Sequence, residues 1–415
     1  MNLRNKTVLV IDQGYFISVA LKLAETFSRV YYHVPSEGTF KTNERHMIGS
    51  GLPGLIKVDD PDKYVDEVDL IVYTDLGEGG RVAWLRKHGY RVFGCGYGER
   101  LERDRKFFND MIKKQGLPLI PSRKVVGIDA LKKDMQSHKD TWIKISDFRG
   151  LAETQHNESF EQSEEWYYKI AHKLGAERHT FEFTVQESVP GIEIGADGFF
   201  SNGSMLSPCL QGLEIKDHGY VGKVVDYRNL PEPVLKVYDG LAPVMQDLDV
   251  RGSIVTEVRI TPEGVGYPID ATQRFASPPG ALMTEMWQNF AEIIWCVAGN
   301  EPVDPYPAGR YGAEIILYSG NAPKEWVKIK FPESIKQWIK LKNLCSVDGD
   351  QVFVPQSDGD IIGSAIGIGN TMEEATTEAM ANAEQVECVG YRWDETVWDT
   401  ADEKIAEGRK VGIRF

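Results

Sequence analysis

The sequence predicts an α/β fold, α+β in part, on three observations. Over the first hundred residues, short β-branched runs alternate with helical periods, the spacing of a parallel sheet covered by helices. From 181 to 275, strands and glycine-bearing turns dominate instead. Beyond Pro302, Pro305 and Pro307, which read as a linker, strands are mixed with a helix that opens on a capping box.

In chain order, the run 8–11 reads as a strand ending at Asp12-Gln13-Gly14, and Ile17, Ala20, Leu21 and Ala24 mark one face of the helix after it. Further strands are predicted at 30–34, 68–73 and 92–93, with a helix around 82–85. Ligands of such sheets lie at the carboxyl ends of strands, here 12–15 and 74–80. The Gly77-Glu78-Gly79-Gly80 stretch could admit a ligand there, although a plain turn accounts for it equally well. A charged amphipathic helix is predicted from 99 to 115, stopped by Gly116-Leu117-Pro118. A small mixed unit follows: a strand at Trp142-Ile143-Lys144-Ile145, a polar loop, and a helix carrying Trp166, Tyr167, Ile170, Ala171 and Leu174. The stretch 231–248 reads as a helix, and 281–298 as a long one with Met286, Phe290, Ile293 and Ile294 inward. The last hundred residues predict strands at 314–317, 352–354 and 361–368, and a helix opened by Thr371 and Glu374.

Composition limits the functions. The 415 residues are 42% apolar and 26% charged, the mix of a globular chain of about two to four domains. Acids outnumber bases, 62 to 47, for a net charge of −15. Such a surface excludes a broad nucleic-acid footprint but leaves room for a local cluster of Lys and Arg around a small anion. Cys95, Cys209, Cys296, Cys345 and Cys388 form no C-x-x-C pair, so free thiols in a reducing compartment are expected rather than a disulfide framework or structural zinc. Apolar runs fall far short of the roughly 20 residues that span a bilayer. The start of the chain enters a strand rather than a signal peptide. The expectation is a cytoplasmic protein, monomeric or homodimeric, with no membrane partner.

Three segments carry chemistry. Lys144 ends a strand and leads into Ser146-Asp147-Phe148-Arg149-Gly150, where an ammonium and loop N–H groups can meet phosphates. An exposed lysine at a strand end is the plainer alternative. Val185-Gln186-Glu187-Ser188-Val189-Pro190-Gly191-Ile192-Glu193 is a strand and connector with free backbone groups for a purine edge and a carboxylate for ribose hydroxyls, or else an ordinary strand–turn–strand. Thr256-Glu257-Val258-Arg259-Ile260 and Tyr267-Pro268-Ile269-Asp270-Ala271-Thr272-Gln273-Arg274, joined through Pro262-Glu263-Gly264, form a hairpin that brings Glu257 close to Asp270. Two adjacent carboxylates repel each other, and holding Mg²⁺ is one reason to tolerate that; a solvated polar face is the other reading. Arg274 adds a cation for a phosphoryl group or a carboxylate.

In this order and on these elements, the segments resemble the ATP-grasp superfamily, and more narrowly the phosphoribosylamine–glycine ligases (glycinamide ribonucleotide synthetases). Val92-Phe93-Gly94, Asp104-Arg105-Lys106-Phe107-Phe108 and Gln115-Gly116-Leu117-Pro118 are similar to that family's entry into the ATP-grasp unit. Gly359-Asp360-Ile361-Ile362-Gly363 and Gly369-Asn370-Thr371-Met372-Glu373-Glu374 are similar to its C-terminal domain. The resemblance implies three units: an N-terminal pre-ATP-grasp domain (1–103), an ATP-grasp domain (104–305) with a lid at about 122–180, and a C-terminal α+β domain (306–415). It implies an ATP-dependent carboxylate–amine ligase acting through an acyl phosphate on an amino acid such as glycine and an amine. Lys144 and Arg105 would contact ATP phosphates; Gln186, Glu187 and Val189 would hold adenine, and Glu193 ribose. Glu257, Asp270 and Thr272 would bind Mg²⁺ or Mn²⁺, and Arg274 would act beside Lys144 in catalysis.

The chain departs from the family pattern. Arg105 stands for a lysine, Asp270 for a glutamate and Thr272 for an asparagine. Gly219-Tyr220-Val221-Gly222-Lys223 replaces a glycine-rich stretch. The two turns that hold a sugar phosphate in the family are here Asp12-Gln13-Gly14-Tyr15-Phe16 and Thr74-Asp75-Leu76-Gly77-Glu78, acidic and aromatic, which would repel and obstruct a phosphate. A changed amine acceptor is therefore expected. The alternative is a non-catalytic ATP-binding regulatory or scaffold protein, and a kinase with a hydroxyl acceptor is a lesser one.

Overall fold

Parallel strands at Thr7–Ile11, Arg29–His33, Leu55–Lys57, Leu70–Tyr73 and Val92–Phe93 make the first sheet in a computed structural model that describes residues 1–35, 44–145, 154–356 and 359–415. Thr7–Ile11 lies between Arg29–His33 and Leu70–Tyr73, so the chain reverses its winding direction at this strand. The strand is buried on both faces, as a parallel strand between helices must be. Val8 and Val10 join the main core, while Leu9 and Ile11 pack with Val82 and Leu85 of the helix Gly79–Lys87.

The remainder is built on a long antiparallel sheet. Its strands run Gly266–Thr272, Gly252–Ile260, Ile192–Ser201, Cys209–Ile215, Gly219–Val225, Tyr311–Ser319, Ile361–Gly369 and Ile339–Leu341 in space. The sheet continues across residue 305, because Gly219–Val225 pairs with Tyr311–Ser319. A separate four-stranded sheet orders Ser122–Val126, Glu182–Glu187, Thr141–Lys144 and Thr154–Asn157, covered by the helices Ile128–Ser137 and Phe160–Leu174. It has its own core, including Leu131, Ile143, Tyr167, Ile170 and Phe183, and its last strand extends past residue 180. The loop from Ser146 to Gly150 lies outside the described residues.

Two predicted helices are broken. The 99–115 helix divides at Asp104, whose backbone is extended and whose side chain caps the helix Arg105–Lys114 by accepting from Phe107 N–H at 2.9 Å. The 281–298 helix becomes Gly280–Met286 and Phe290–Gly299, because Trp287 pairs as a β-bridge with Pro307 and Gln288 N–H bonds Tyr306 C=O. The first break is a local cap, and at the second a tertiary partner replaces the i−4 carbonyl. The capping box at Thr371 and Glu374 forms at the start of Met372–Ala383. The five cysteines are free, and among the described residues no helix is long and apolar enough to cross a membrane.

Side chains also tie the units together. Arg86 on Gly79–Lys87 donates to the carbonyls of Val92, Gly94, Asp249 and Arg251. Glu285 accepts from Lys22 at 2.8 Å and Lys340 at 2.6 Å, joining an N-terminal helix, a central helix and a C-terminal strand.

Candidate active site

A cleft of about 2360 Å³ runs from the four-stranded sheet, across the long sheet, to the carboxyl ends of the parallel strands. Its two ends use similar residue types in different ways.

At the four-stranded end, β-pairing sets a row of acids. Glu257 lies opposite both Gly195 and Asp270, and Glu193 lies opposite Arg259. Arg259 Nη2 is 2.6 Å from Glu193 Oε2 and its Nη1 donates to Gly191 C=O at 3.1 Å. Gly191 has φ +129° and would bring a Cβ to 2.0 Å from Ile260 O, so the connector can lie this close only as glycine. Glu214 completes the row from Cys209–Ile215; burial, then the charge of Glu193, pushes it up to about 7. Glu257 is pushed well above the ordinary carboxylate range by burial, then by Glu193 and Glu214. Burial also opposes ionisation of Glu193, but Arg259, its hydrogen bond with Glu257 and Lys144 outweigh it and hold its carboxyl low. Of the two, Glu257 therefore holds a proton the more readily and Glu193 the less.

Lys144 ends its strand above this row and is only 8% exposed. Burial, reinforced by Arg105, brings its ammonium down to about 8 against the attraction of Asp270, Glu257 and Glu193. Arg105 donates to Ile269 C=O at 3.0 Å and stands 3.7 Å from Asp270. It is 7% exposed and is not among the residues lining the cleft. Gln186, Glu187, Val189, Thr272 and Arg274 do line the cleft.

At the parallel-sheet end, Arg274 Nε lies 3.0 Å from Glu102 and 3.4 Å from Asp75. Burial works against its charge, but Glu102 and then Asp75 more than offset it and raise its pKa. Buried Glu102 also accepts the Gln273 N–H at 2.8 Å. The expectation that Asp12 presents a repelling charge to this end is corrected by the structure. Asp12 is 1% exposed and accepts from Tyr32 Oη at 2.7 Å, Thr74 Oγ1 at 2.7 Å and Phe16 N–H at 3.2 Å. These bonds tie the first turn to Arg29–His33 and to the residue that follows Leu70–Tyr73, where the winding reverses. Burial raises the carboxyl's pKa despite the three donors. Asp75 and Tyr15 do line the cleft.

Sequence reasoning missed Glu102, Glu214, Arg259 and Lys342. Arg259 had a signal, since it follows Glu257 by two residues and so shares its face. Glu214 and Lys342 reach the site only through long-range pairing.

A small sheet over an antiparallel sheet that carries an acid row, with a parallel-sheet unit before it, is the ATP-grasp fold, and this chain has that fold. Similar solved structures include the phosphoribosylamine–glycine ligase of Thermotoga maritima, at 18% identity and a TM-score of 0.70, covering 93% of this chain and 98% of that one. The biotin carboxylase of Campylobacter jejuni is 13% identical, with a TM-score of 0.64 over 93% of this chain and 92% of that one. The L-amino acid ligase of Bacillus licheniformis is 13% identical, with a TM-score of 0.59 over 94% of this chain and all (100%) of that one. No protein-family model and no curated protein sequence matches the chain.

Proposed function

We propose that this chain is an ATP-dependent carboxylate–amine ligase acting through an acyl phosphate, with an amine acceptor other than phosphoribosylamine. The observation that carries the reading is the gathering of Lys144, Glu193, Glu257 and Asp270 at one end of a single cleft that has Arg274 at the other. Two solved neighbours named as ligases and one named as a complex with an ATP analogue support it. The units of the reading are 1–103, 104–305 and 306–415, with the four-stranded sheet as a lid that closes over nucleotide and excludes water.

Lys144 places its ammonium on ATP phosphates, Gln186, Glu187 and Val189 border the adenine, and Glu193 faces the ribose. A carboxylate oxygen of the acid attacks the γ-phosphorus and ADP leaves; the amine then attacks the acyl carbon and phosphate leaves. Arg274 holds the acid or the phosphoryl group between these steps, and Arg105 keeps Asp270 in place. Glu257, Asp270 and Thr272 fit Mg²⁺ or Mn²⁺ in one respect: two of them are adjacent carboxyls, and burial with the charges of its neighbours raises Glu257, a cost that a cation would relieve. Among the described residues no three acidic, His or Cys side chains form a ready metal cluster, and Mg²⁺ ordinarily combines one or two carboxylates with substrate phosphates. When bound, the metal neutralises charge on the phosphate oxygens.

The changed acceptor is supported by Asp12, a buried acid held within the first turn, and by the Asp75 carboxylate that lines the cleft. Release of ADP from Mg-ATP, measured across mixtures of amino acids and amines, tests the reading, and both partners together should be required. Glycine with phosphoribosylamine should give no stimulation. Calorimetric Mg-ATP binding with no ADP release in any mixture would instead support a non-catalytic ATP-binding protein, a reading favoured by one observation, the absence of Arg105 from the cleft lining.

A further inference from the structure

The acceptor end contains a cation that the mechanism above leaves unused. Lys342 follows the strand Ile339–Leu341 and lines the cleft, with Nζ 5.8 Å from the centre of the Tyr15 ring. It makes no ion pair among the described residues, whereas Arg274 is already shared by two carboxylates. Burial, with Arg274 adding to it, brings the Lys342 ammonium down to about 8, although Glu314, Asp75 and Asp12 oppose the change. The next residue, Asn343, is 3% exposed, also lines the cleft, and has a side-chain Oδ1 without a hydrogen-bond partner. Its backbone N–H donates to Gly14 C=O at 2.7 Å, which anchors this corner to the first turn of the parallel sheet. Asp75 faces the same space; its Oδ1 takes the Leu76 N–H at 2.8 Å and lies 3.4 Å from Arg274, and Oδ2 has no partner among the described residues.

We propose that this corner is the acceptor subsite and that its ligand is a zwitterionic, amino-acid-like amine, its carboxylate held by Lys342 and its amine by Asp75 Oδ2 and Asn343 Oδ1. The charge balance selects this class. Arg274 and Lys342 together balance Glu102 and Asp75, so the corner suits a ligand that is itself neutral overall, with one carboxylate and one ammonium, and not a phosphate dianion. A partly buried lysine without an ion pair among the described residues and a buried amide oxygen without a hydrogen bond also cost stability unless a ligand satisfies them. The assignment rests on the ligase reading and names its second substrate.

Ligand-observed NMR on the full chain with Mg-ADP tests it, using each of the twenty L-amino acids, their α-carboxamides, phosphoethanolamine and inorganic phosphate. At least one free amino acid should bind, and its carboxamide should bind at least about tenfold more weakly. Lys342→Met should lose the same factor for the free acid while leaving the carboxamide unchanged, and Lys342→Arg should restore most of it. Tighter binding of either phosphate compound than of every amino acid would overturn the assignment. Equal binding of acid and carboxamide, unchanged binding by Lys342→Met, or no amino acid bound would do the same. Hydroxylamine trapping separates the two ideas: hydroxamate formed from ATP and an amino acid shows acyl activation whatever the acceptor. Hydroxamate with a failed NMR series therefore rejects the subsite alone, and a positive series without hydroxamate rejects the ligase chemistry alone.

Discussion

The two ends of the cleft draw on the same residue types and put them to opposite uses. At the four-stranded end Glu193, Glu257 and Asp270 stand in a row on neighbouring strands and line the cleft, where each carboxyl faces another. At the parallel-sheet end Asp12 and Glu102 are just as acidic in sequence, yet each is buried and enclosed by the protein's own hydroxyl, amide or guanidinium donors. A carboxylate's role is therefore set by its surroundings. Where carboxyls face one another along a cleft, a cation or substrate can join them; where protein donors enclose it, the acid is part of the scaffold.

The largest effect expected from this contrast is on turnover. Lys144→Ala or Asp270→Asn should lower ATP turnover by about 100-fold or more, with far-UV circular dichroism and Tm retained. A coupled ADP assay that finds either variant unimpaired would remove the four-stranded end from the chemistry.

The mirror experiment is Asp12→Ala, which should act on stability. It strands two hydroxyls and one amide N–H, a loss of about 2–4 kcal/mol read from urea denaturation. A fully stable Asp12→Ala protein would erase the distinction between the ends.

A smaller effect sharpens the account of the acid row. Because burial and its acidic neighbours raise Glu257, binding of Mg-ATP there should release a proton, seen as a calorimetric enthalpy that depends on the buffer. Affinity should weaken as pH falls, by up to about tenfold per unit, and Glu257→Gln should abolish the proton release. Buffer-independent enthalpy in the native protein would contradict the upward shift of Glu257.

The smallest effect concerns Asp197, beneath the acid row. Burial pushes its carboxyl up to about 8 from 3.8, while Tyr220 donates to it. The folded chain thus holds this proton more tightly than the unfolded one, so the stabilising contribution is complete below about pH 4 and is lost as pH rises through about 8. Between pH 6 and 9 the native protein should lose on the order of 1 kcal/mol relative to Asp197→Asn, measured by parallel denaturation curves.

How legible each end was in the sequence follows from the range of the interactions. The pairing of Glu257 with Asp270 was readable, because a short Pro-Glu-Gly turn and two-residue alternation fix a hairpin register locally. The parallel strands were readable too, as unbroken apolar runs at Val8, Leu9, Val10 and Ile11 and at Leu70, Ile71 and Val72. The bond of Arg259 to Glu193 crosses two strands 66 positions apart, and local pattern carries no such information. The inward turn of Asp12 depends on Tyr32 and Thr74, 20 and 62 positions away, so an acid at a turn could be read as exposed and still be buried. The break at Trp287 arises in the same way, from a distant partner that outcompetes helical hydrogen bonds, whereas the break at Asp104 is a local cap on Phe107.

The enclosed carboxyl of Asp12 also bears on how this turn could be redesigned. A glycine at position 12 would leave Tyr32, Thr74 and the Phe16 amide without an acceptor, so the change alone would weaken the fold. Substitutions at Asp12, Tyr32 and Thr74 are therefore coupled. An engineer reshaping this turn for a new ligand should alter all three positions together, because single steps each strand a partner.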